Sequence, residues 1–192
     1  MIRSSKKIIL GSNSPRRQEL LRDLDVEYVI DTENTFQEGL DASSAPDQIP
    51  VLMSQGKSHG FHRPLCPDEI LITSDTVVII GGTVLGKPHS REEAVQMLRM
   101  LSGRTHEVIT AVTIRDFERE KTFSDSTLVS FEKLEDADIE YYIDKYKPYD
   151  KAGAYGVQEW IGYVAISRLE GSFYNVMGFP VHKVYKELQE FL

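Results

Sequence analysis

Residues 70–80, ILITSDTVVII, constrain the fold more than any other part of the chain. Their density of Val and Ile marks a strand, and Gly81-Gly82 behind them turns the chain tightly into Thr83-Val84-Leu85 as a hairpin. Further strands are predicted at residues 7–10, 26–30, 105–115, 123–131, 163–169 and 173–177. Helices are predicted at residues 15–24 behind Ser14, 47–61, 90–101 behind the capping box Ser90-Arg-Glu-Glu93, 136–146 and 181–192. Residues 32–48 are polar and irregular and read as loop. Strands interleave with helices and hairpins, which predicts the α/β class: a mixed, strongly twisted central sheet flanked by helices.

Composition narrows the function. A chain of 192 residues is one domain, or two lobes on a continuous core. With 30 acidic against 22 basic residues its net charge is −8, a field that repels polyanions and argues against nucleic acid as a partner. A local basic pocket for one small anion remains open, because a few converging donors outweigh a distant background. The single cysteine, Cys66, allows no intramolecular disulfide and no Cys-based zinc site, and reads as a small residue in a Pro-flanked turn. The apolar run Ile8-Ile9-Leu10 is too short for a signal-peptide core or a membrane span. A cytoplasmic protein with no membrane partner is expected.

Residues 10–17, LGSNSPRR, are the most specific local feature. A strand ends, small polar residues turn, and a helix opens with Ser14 as cap and Pro15 in its first position. The first-turn N–H groups of such a helix are unpaired and its dipole end is positive. Arg16 and Arg17 oppose that dipole with no other evident benefit, which favours an anion site, phosphate being the expected ligand.

A neighbouring pattern misleads. Gly81-Gly-Thr-Val-Leu-Gly-Lys87 has phosphate-loop spacing, but Pro88 follows, supplying neither the magnesium-binding hydroxyl nor an N–H. The glycines read as a hairpin turn, and Lys87 stays a candidate phosphate contact. Asp75 interrupts an otherwise apolar strand, and a carboxylate there needs a partner or a task as metal ligand or general base. In Asp150-Lys-Ala-Gly-Ala-Tyr-Gly-Val-Gln158 the small residues allow close backbone approach, and Gln158 offers a donor and an acceptor suited to a base edge. Residues 171–180 read as a weaker structural hairpin. His59 and His62 lack a third ligand for zinc and read as solvated helix residues. Met97, Leu98 and Leu101 read as core, and Tyr141, Tyr142 and Tyr146 as amphipathic packing.

Taken together, SNSPRRQELL (residues 12–21), SDTVV (74–78), LGKP (85–88), MLRMLSGRTHEVITAV (97–112), DKAGAYGVQ (150–158) and GSFYNVMGFPV (171–181) resemble the Maf family of nucleoside triphosphate pyrophosphatases. The stretches occur in the family's order and span nearly the whole chain. The resemblance implies a single Maf-like domain over residues 1–192, with two lobes around an active-site cleft as in ITPase-like proteins. It implies hydrolysis of a nucleoside triphosphate to the monophosphate and pyrophosphate, a divalent cation (magnesium or manganese) and a homodimer. Carried over by position, Asp75 is the catalytic aspartate, and Ser12, Arg16, Lys57 and Lys87 are phosphate contacts. Glu38 is a metal ligand together with Asp75, while Arg16, Thr76 and Gln158 fall at positions linked to base choice. The KAGAYGVQ form resembles the subgroup acting on dTTP and UTP, which extends to modified pyrimidine nucleotides. A purine-directed house-cleaning pyrophosphatase and a non-catalytic nucleotide-binding regulator of septum formation stand as alternatives.

Overall fold

The computed structural model describes residues 5–37 and 44–192. Its strands are β1 (Lys7–Leu10), β2 (Tyr28–Ile30), β3 (Glu69–Ile80), β4 (Thr83–Leu85), β5 (Thr105–Arg115), β6 (Glu120–Phe131) and β7 (Ile166–Glu170). Its helices are α1 (Pro15–Arg22), α2 (Ile49–His59), α3 (Arg91–Leu101), α4 (Asp136–Tyr146), α5 (Trp160–Ala165), α6 (Phe173–Met177) and α7 (Val181–Gln189). The strands form one mixed sheet in the order β2-β1-β3-β5-β6-β7, with β4 paired to β3. Two compact units divide the chain: Met1–Asp75 with Thr110–Asp125 and Gly178–Leu192, and Thr76–Ile109 with Ser126–Met177.

In the first unit β1 runs parallel to both β2 and β3, with Leu10 in register with Ile72. Ile8, Ile9 and Leu10 are buried, and Ile9 packs with Phe61, Leu65 and Leu71. β1 and β2 end together at Leu10 and Ile30 while β3 runs on past Ile72 to Ile80, so the turn after Leu10 lies against the middle of β3, at the carboxyl ends of β1 and β2 where open α/β sheets place their ligands. The Gly11 N–H donates to the Ile72 carbonyl at 2.9 Å, and a Cβ on Gly11 would lie 3.0 Å from Thr73 Cγ2. That close approach keeps the turn against the middle of β3.

In the second unit the hairpin appears as predicted, with Val78 opposite Leu85 and Gly81 and Gly82 both at positive φ. Its core packs Val78, Ile80, Leu98, Leu101, Val129, Phe131, Tyr142, Ile143 and Ile161. Ser90 Oγ accepts from the Glu93 N–H at 3.1 Å and opens α3. Met97, Leu98 and Leu101 are buried, as the sequence predicts.

The strand predicted at residues 163–169 begins only at Ile166, as β7, and the one predicted at residues 173–177 is helical. Residues 160–165 form α5, because Ile161 and Ala165, four apart, are both buried while Tyr163 is 84% exposed. That is helical rather than alternating burial. Residues 173–177 form α6 rather than a hairpin strand: Ser172 Oγ accepts from the Asn175 N–H at 3.3 Å, and Asn175 is fully buried. Its amide donates to the Val108 carbonyl at 3.0 Å and to Thr127 Oγ1 at 2.9 Å. Local capping and one buried amide override the strand propensity of Phe, Tyr and Val. Among the described residues no helix is long and apolar enough to cross a membrane.

Candidate active site

The first unit gathers Ser12, Arg16, Arg17, Lys57 and Asp75 at the carboxyl end of β1, in the middle of β3 and on helices α1 and α2. Ser14 caps α1 with extended backbone, its Oγ accepting from the Arg17 N–H at 3.5 Å, and Pro15 follows. Ser12 is buried, and its Oγ accepts from the Ser14 N–H at 3.2 Å. Arg17 does not simply oppose the helix dipole. Its Nε donates to the Gly178 carbonyl at 2.9 Å, and its Nη1 donates to the Ser74 carbonyl at 2.9 Å and to Ser12 Oγ at 3.4 Å. The guanidinium thus ties the turn after β1 to the middle of β3, a benefit not evident from the sequence. Arg16, half-buried on the first turn, has the adjacent position.

Helix α2 supplies the lysine. Thr73 Oγ1 donates to the Ser54 carbonyl at 2.7 Å, and Ser54 Oγ bonds Thr113 Oγ1 at 3.0 Å, which seats α2 against the strands. Lys57 lies three residues beyond Ser54, on the same helix face. Its Nζ donates to Asp75 Oδ1 at 2.7 Å, with both side chains about four-fifths buried. The carboxylate in the apolar strand therefore has its partner. The glycines of α2 serve the segment crossing it: a Cβ on Gly56 would lie 2.3 Å from the Phe36 ring, and one on Gly60 2.4 Å from Asn34 Oδ1. Asn34 donates to the Lys57 carbonyl at 2.6 Å, and the Thr35 N–H to the Gly60 carbonyl at 2.8 Å. Glu38 lies outside the described residues.

The second unit holds Thr76, half-buried on β3, exposed Lys87 after β4, and Gln158. The Gly153 N–H donates to the Gly86 carbonyl at 3.0 Å, joining the Lys87 turn to the small-residue segment. Gly153 stands at φ 69°, and a Cβ on it would lie 3.0 Å from Val78 Cγ2, so the close approach read from the sequence is real. Gln158 Oε1 is buried without a hydrogen-bond partner among the described residues.

Three features here escape sequence reasoning. Buried Lys151 bonds both Asp150 and Glu159, and Tyr142 donates to the other oxygen of Glu159. Burial and then the Glu159 carboxylate push the Tyr142 phenol far above its ordinary value, so it stays a donor. His106 and Tyr155, edge to face with Phe131, share a 2.7 Å hydrogen bond, and burial lowers His106 to about 4. Elsewhere His59 bonds Glu120 at 2.9 Å rather than water alone, and Cys66 is exposed.

A mixed sheet that sets a capped, arginine-bearing helix start at the end of β1, and in the same unit pairs a lysine of α2 with an aspartate of β3, defines an α/β protein suited to phosphate chemistry. Its fold is similar to that of a HAM1 protein from Coxiella burnetii, with TM-score 0.51, 14% identity, and 96% of this chain and 99% of that one covered.

The model of the Maf-like protein family matches residues 7–191, and the chain belongs to that family. It is 51% identical over 187 residues to a dTTP/UTP pyrophosphatase of Porphyromonas gingivalis, covering 96% of this chain and 94% of the relative. It is 49% identical over 184 residues to one of Bacteroides thetaiotaomicron, covering 96% and 95%.

Proposed function

We propose that the protein hydrolyses dTTP and UTP, and modified pyrimidine nucleotides of the same form, at the bond between the α and β phosphates. The products are the monophosphate and pyrophosphate, and the reaction keeps unwanted nucleotides out of nucleic acid. The observation that carries the reading is the Lys57–Asp75 pair, whose aspartate lies in the middle of β3 one residue beyond Ser74, the residue Arg17 ties to the Ser12 turn. The names of the two relatives support the substrate choice.

In this reading Asp75 accepts the proton of the attacking water, and Lys57 orients its carboxylate through Oδ1. As the phosphorus–oxygen bond to the leaving group breaks, charge gathers on pyrophosphate. Lys57, Lys87, Arg16, the Ser12 hydroxyl and the first-turn N–H groups of α1 stabilise it. Arg17 adds positive charge while holding the Ser12 and Ser74 ends together. Thr76 and Gln158, with Arg16, select the base.

The donor chemistry also fits a hard divalent cation, which is commonly held by one or two carboxylates and substrate phosphate oxygens. Asp75, 18% exposed, offers such a carboxylate, and Glu38 is assigned as the second. Substrate phosphate oxygens would complete the shell. Magnesium or manganese, when bound, supplies charge neutralisation and a lowered water pKa. A cytoplasmic homodimer acting as one domain completes the proposal.

Pyrophosphate release from a panel of canonical and modified nucleoside triphosphates, with each cation in turn, tests the reading. Preference for dTTP and UTP is expected. Preference for a purine triphosphate would overturn the substrate assignment, and tight nucleotide binding without turnover would overturn catalysis.

A further inference from the structure

The segment carrying Gln158 is clamped from beneath by three side chains that the proposed chemistry does not use. Lys151, 8% exposed, donates to Asp150 Oδ1 at 2.8 Å and lies 3.1 Å from Glu159 Oε1, closing residues 151–159 into a loop. Tyr142, fully buried on α4, donates its hydroxyl proton to Glu159 Oε2 and accepts the Gly156 N–H at 2.9 Å. Glu159 stands immediately before α5 yet makes no side-chain cap there; its carboxylate turns back to Lys151 and Tyr142 instead. A Cβ on Gly156 would lie 2.9 Å from Glu159 Cδ and 3.1 Å from Lys151 Cε, so both side chains press on that glycine. The backbone of Gln158 is therefore held at Gly156 and at Glu159, with buried Val157 between them.

What this clamp presents is an orphan. Gln158 Oε1 is buried and accepts no hydrogen bond among the described residues, and a buried acceptor left unpaired is destabilising until a donor arrives. Uracil and thymine carry an N3–H donor on their pairing edge, whereas cytosine N3 is an acceptor. A rigid acceptor accordingly admits the first two bases and rejects the third, since the wrong base leaves the buried group unpaired.

We propose that Glu159, held by Lys151 and Tyr142, is a positioning residue for base selection: it fixes the backbone from which Gln158 sets its carbonyl oxygen against the N3–H of a uracil or thymine ring. The inference rests on the pyrimidine triphosphate reading above. It adds the selecting atom and the side chains that hold it.

The test compares dTTP and dCTP kinetics in the unaltered protein and in Tyr142→Phe, Glu159→Gln, Gln158→Ala and the double variant Gln158→Ala/Tyr142→Phe. Tyr142→Phe keeps the buried ion pair, and it carries the test if Glu159→Gln fails to fold. Both positioning variants should raise KM for dTTP about tenfold with kcat within about twofold, and lower the dTTP-to-dCTP ratio of kcat/KM about tenfold. In the Gln158→Ala background, Tyr142→Phe should change that ratio less than about twofold, because the group it positions is gone. A merely structural clamp would lower the melting temperature and leave the ratio alone. Wild-type ratios in both positioning variants, or an undiminished effect in the Gln158→Ala background, overturn the inference while leaving the pyrimidine reading intact. A wild-type ratio in Gln158→Ala itself removes the selecting atom, and absence of dTTP turnover in the unaltered protein removes the reading beneath it.

Discussion

Lys57 Nζ and Asp75 Oδ1 stand 2.7 Å apart, although 18 residues separate them in the chain. Helix α2 brings the lysine and strand β3 the aspartate, and the Thr73–Ser54 hydrogen bond between the two elements sets the spacing. Neither group is solvated well enough to be indifferent to the other: their side chains are 20% and 18% exposed.

Removing the ammonium should therefore impair the carboxylate as well as the leaving group. Lys57→Met is expected to lower kcat for dTTP roughly 100-fold, with Lys57→Arg losing less because it retains the charge. Steady-state pyrophosphate release measures both. Equal losses in the two variants would show that charge is not what Lys57 supplies.

Arg17 should matter as a brace. Arg17→Lys keeps the charge but cannot reach the Gly178 and Ser74 carbonyls and Ser12 Oγ together. The substitution should destabilise the protein by about 1–3 kcal/mol, read from urea denaturation midpoints. Unchanged midpoints would mean the three contacts contribute nothing net.

Gly56 is chosen by its neighbour. Glycine normally weakens a helix relative to alanine, yet Gly56→Ala should destabilise here by roughly 1–3 kcal/mol, because its methyl would enter the Phe36 ring. Adding Phe36→Ala should reverse the sign of the Gly56→Ala effect, which a thermal double-mutant cycle would detect.

Acid should weaken the fold in two windows. Burial lowers His106 from 6.5 to about 4, so the unfolded chain binds that proton first and stability falls as the pH drops from about 6.5 to 4. The Arg63 hydrogen bonds hold Glu69 down at about 2 against an ordinary 4.5. Its contribution is complete above 4.5 and disappears as the pH falls towards 2, roughly 1–2 kcal/mol after allowance for solvent screening. Denaturation midpoints against pH should lose the upper window in His106→Gln and the lower one in Glu69→Gln.

The legible parts of this protein were those with local causes. Strand β3, the Gly81-Gly82 hairpin, the Ser14 and Ser90 caps and the 136–146 helix follow from composition, turn chemistry and periodicity within a few residues. Residues 163–165 at the end of α5 and residues 173–177 of α6 read as strand because their apolar and aromatic side chains favour strands in isolation. What decides them is burial at Ile161, Ala165 and Asn175, a tertiary fact. Asp75, Arg16 and Arg17 stand out as polar groups in apolar or dipole-opposing positions, whereas Ser12, Lys57, Thr76 and Glu38 are named only by the family resemblance. Their partners could not be named, since the Arg17 brace spans 161 residues to Gly178 and the Lys151–Glu159–Tyr142 clamp joins side chains that look like ordinary surface charge and packing.

The most direct test of the central claim is pyrophosphate release from dTTP and UTP by the unaltered protein beside Asp75→Asn, with circular dichroism on both. The account predicts turnover by the first. The second should keep the same spectrum and lose at least about 1000-fold in kcat, as befits loss of the proton-accepting group. Near-normal turnover by a folded Asp75→Asn would contradict it.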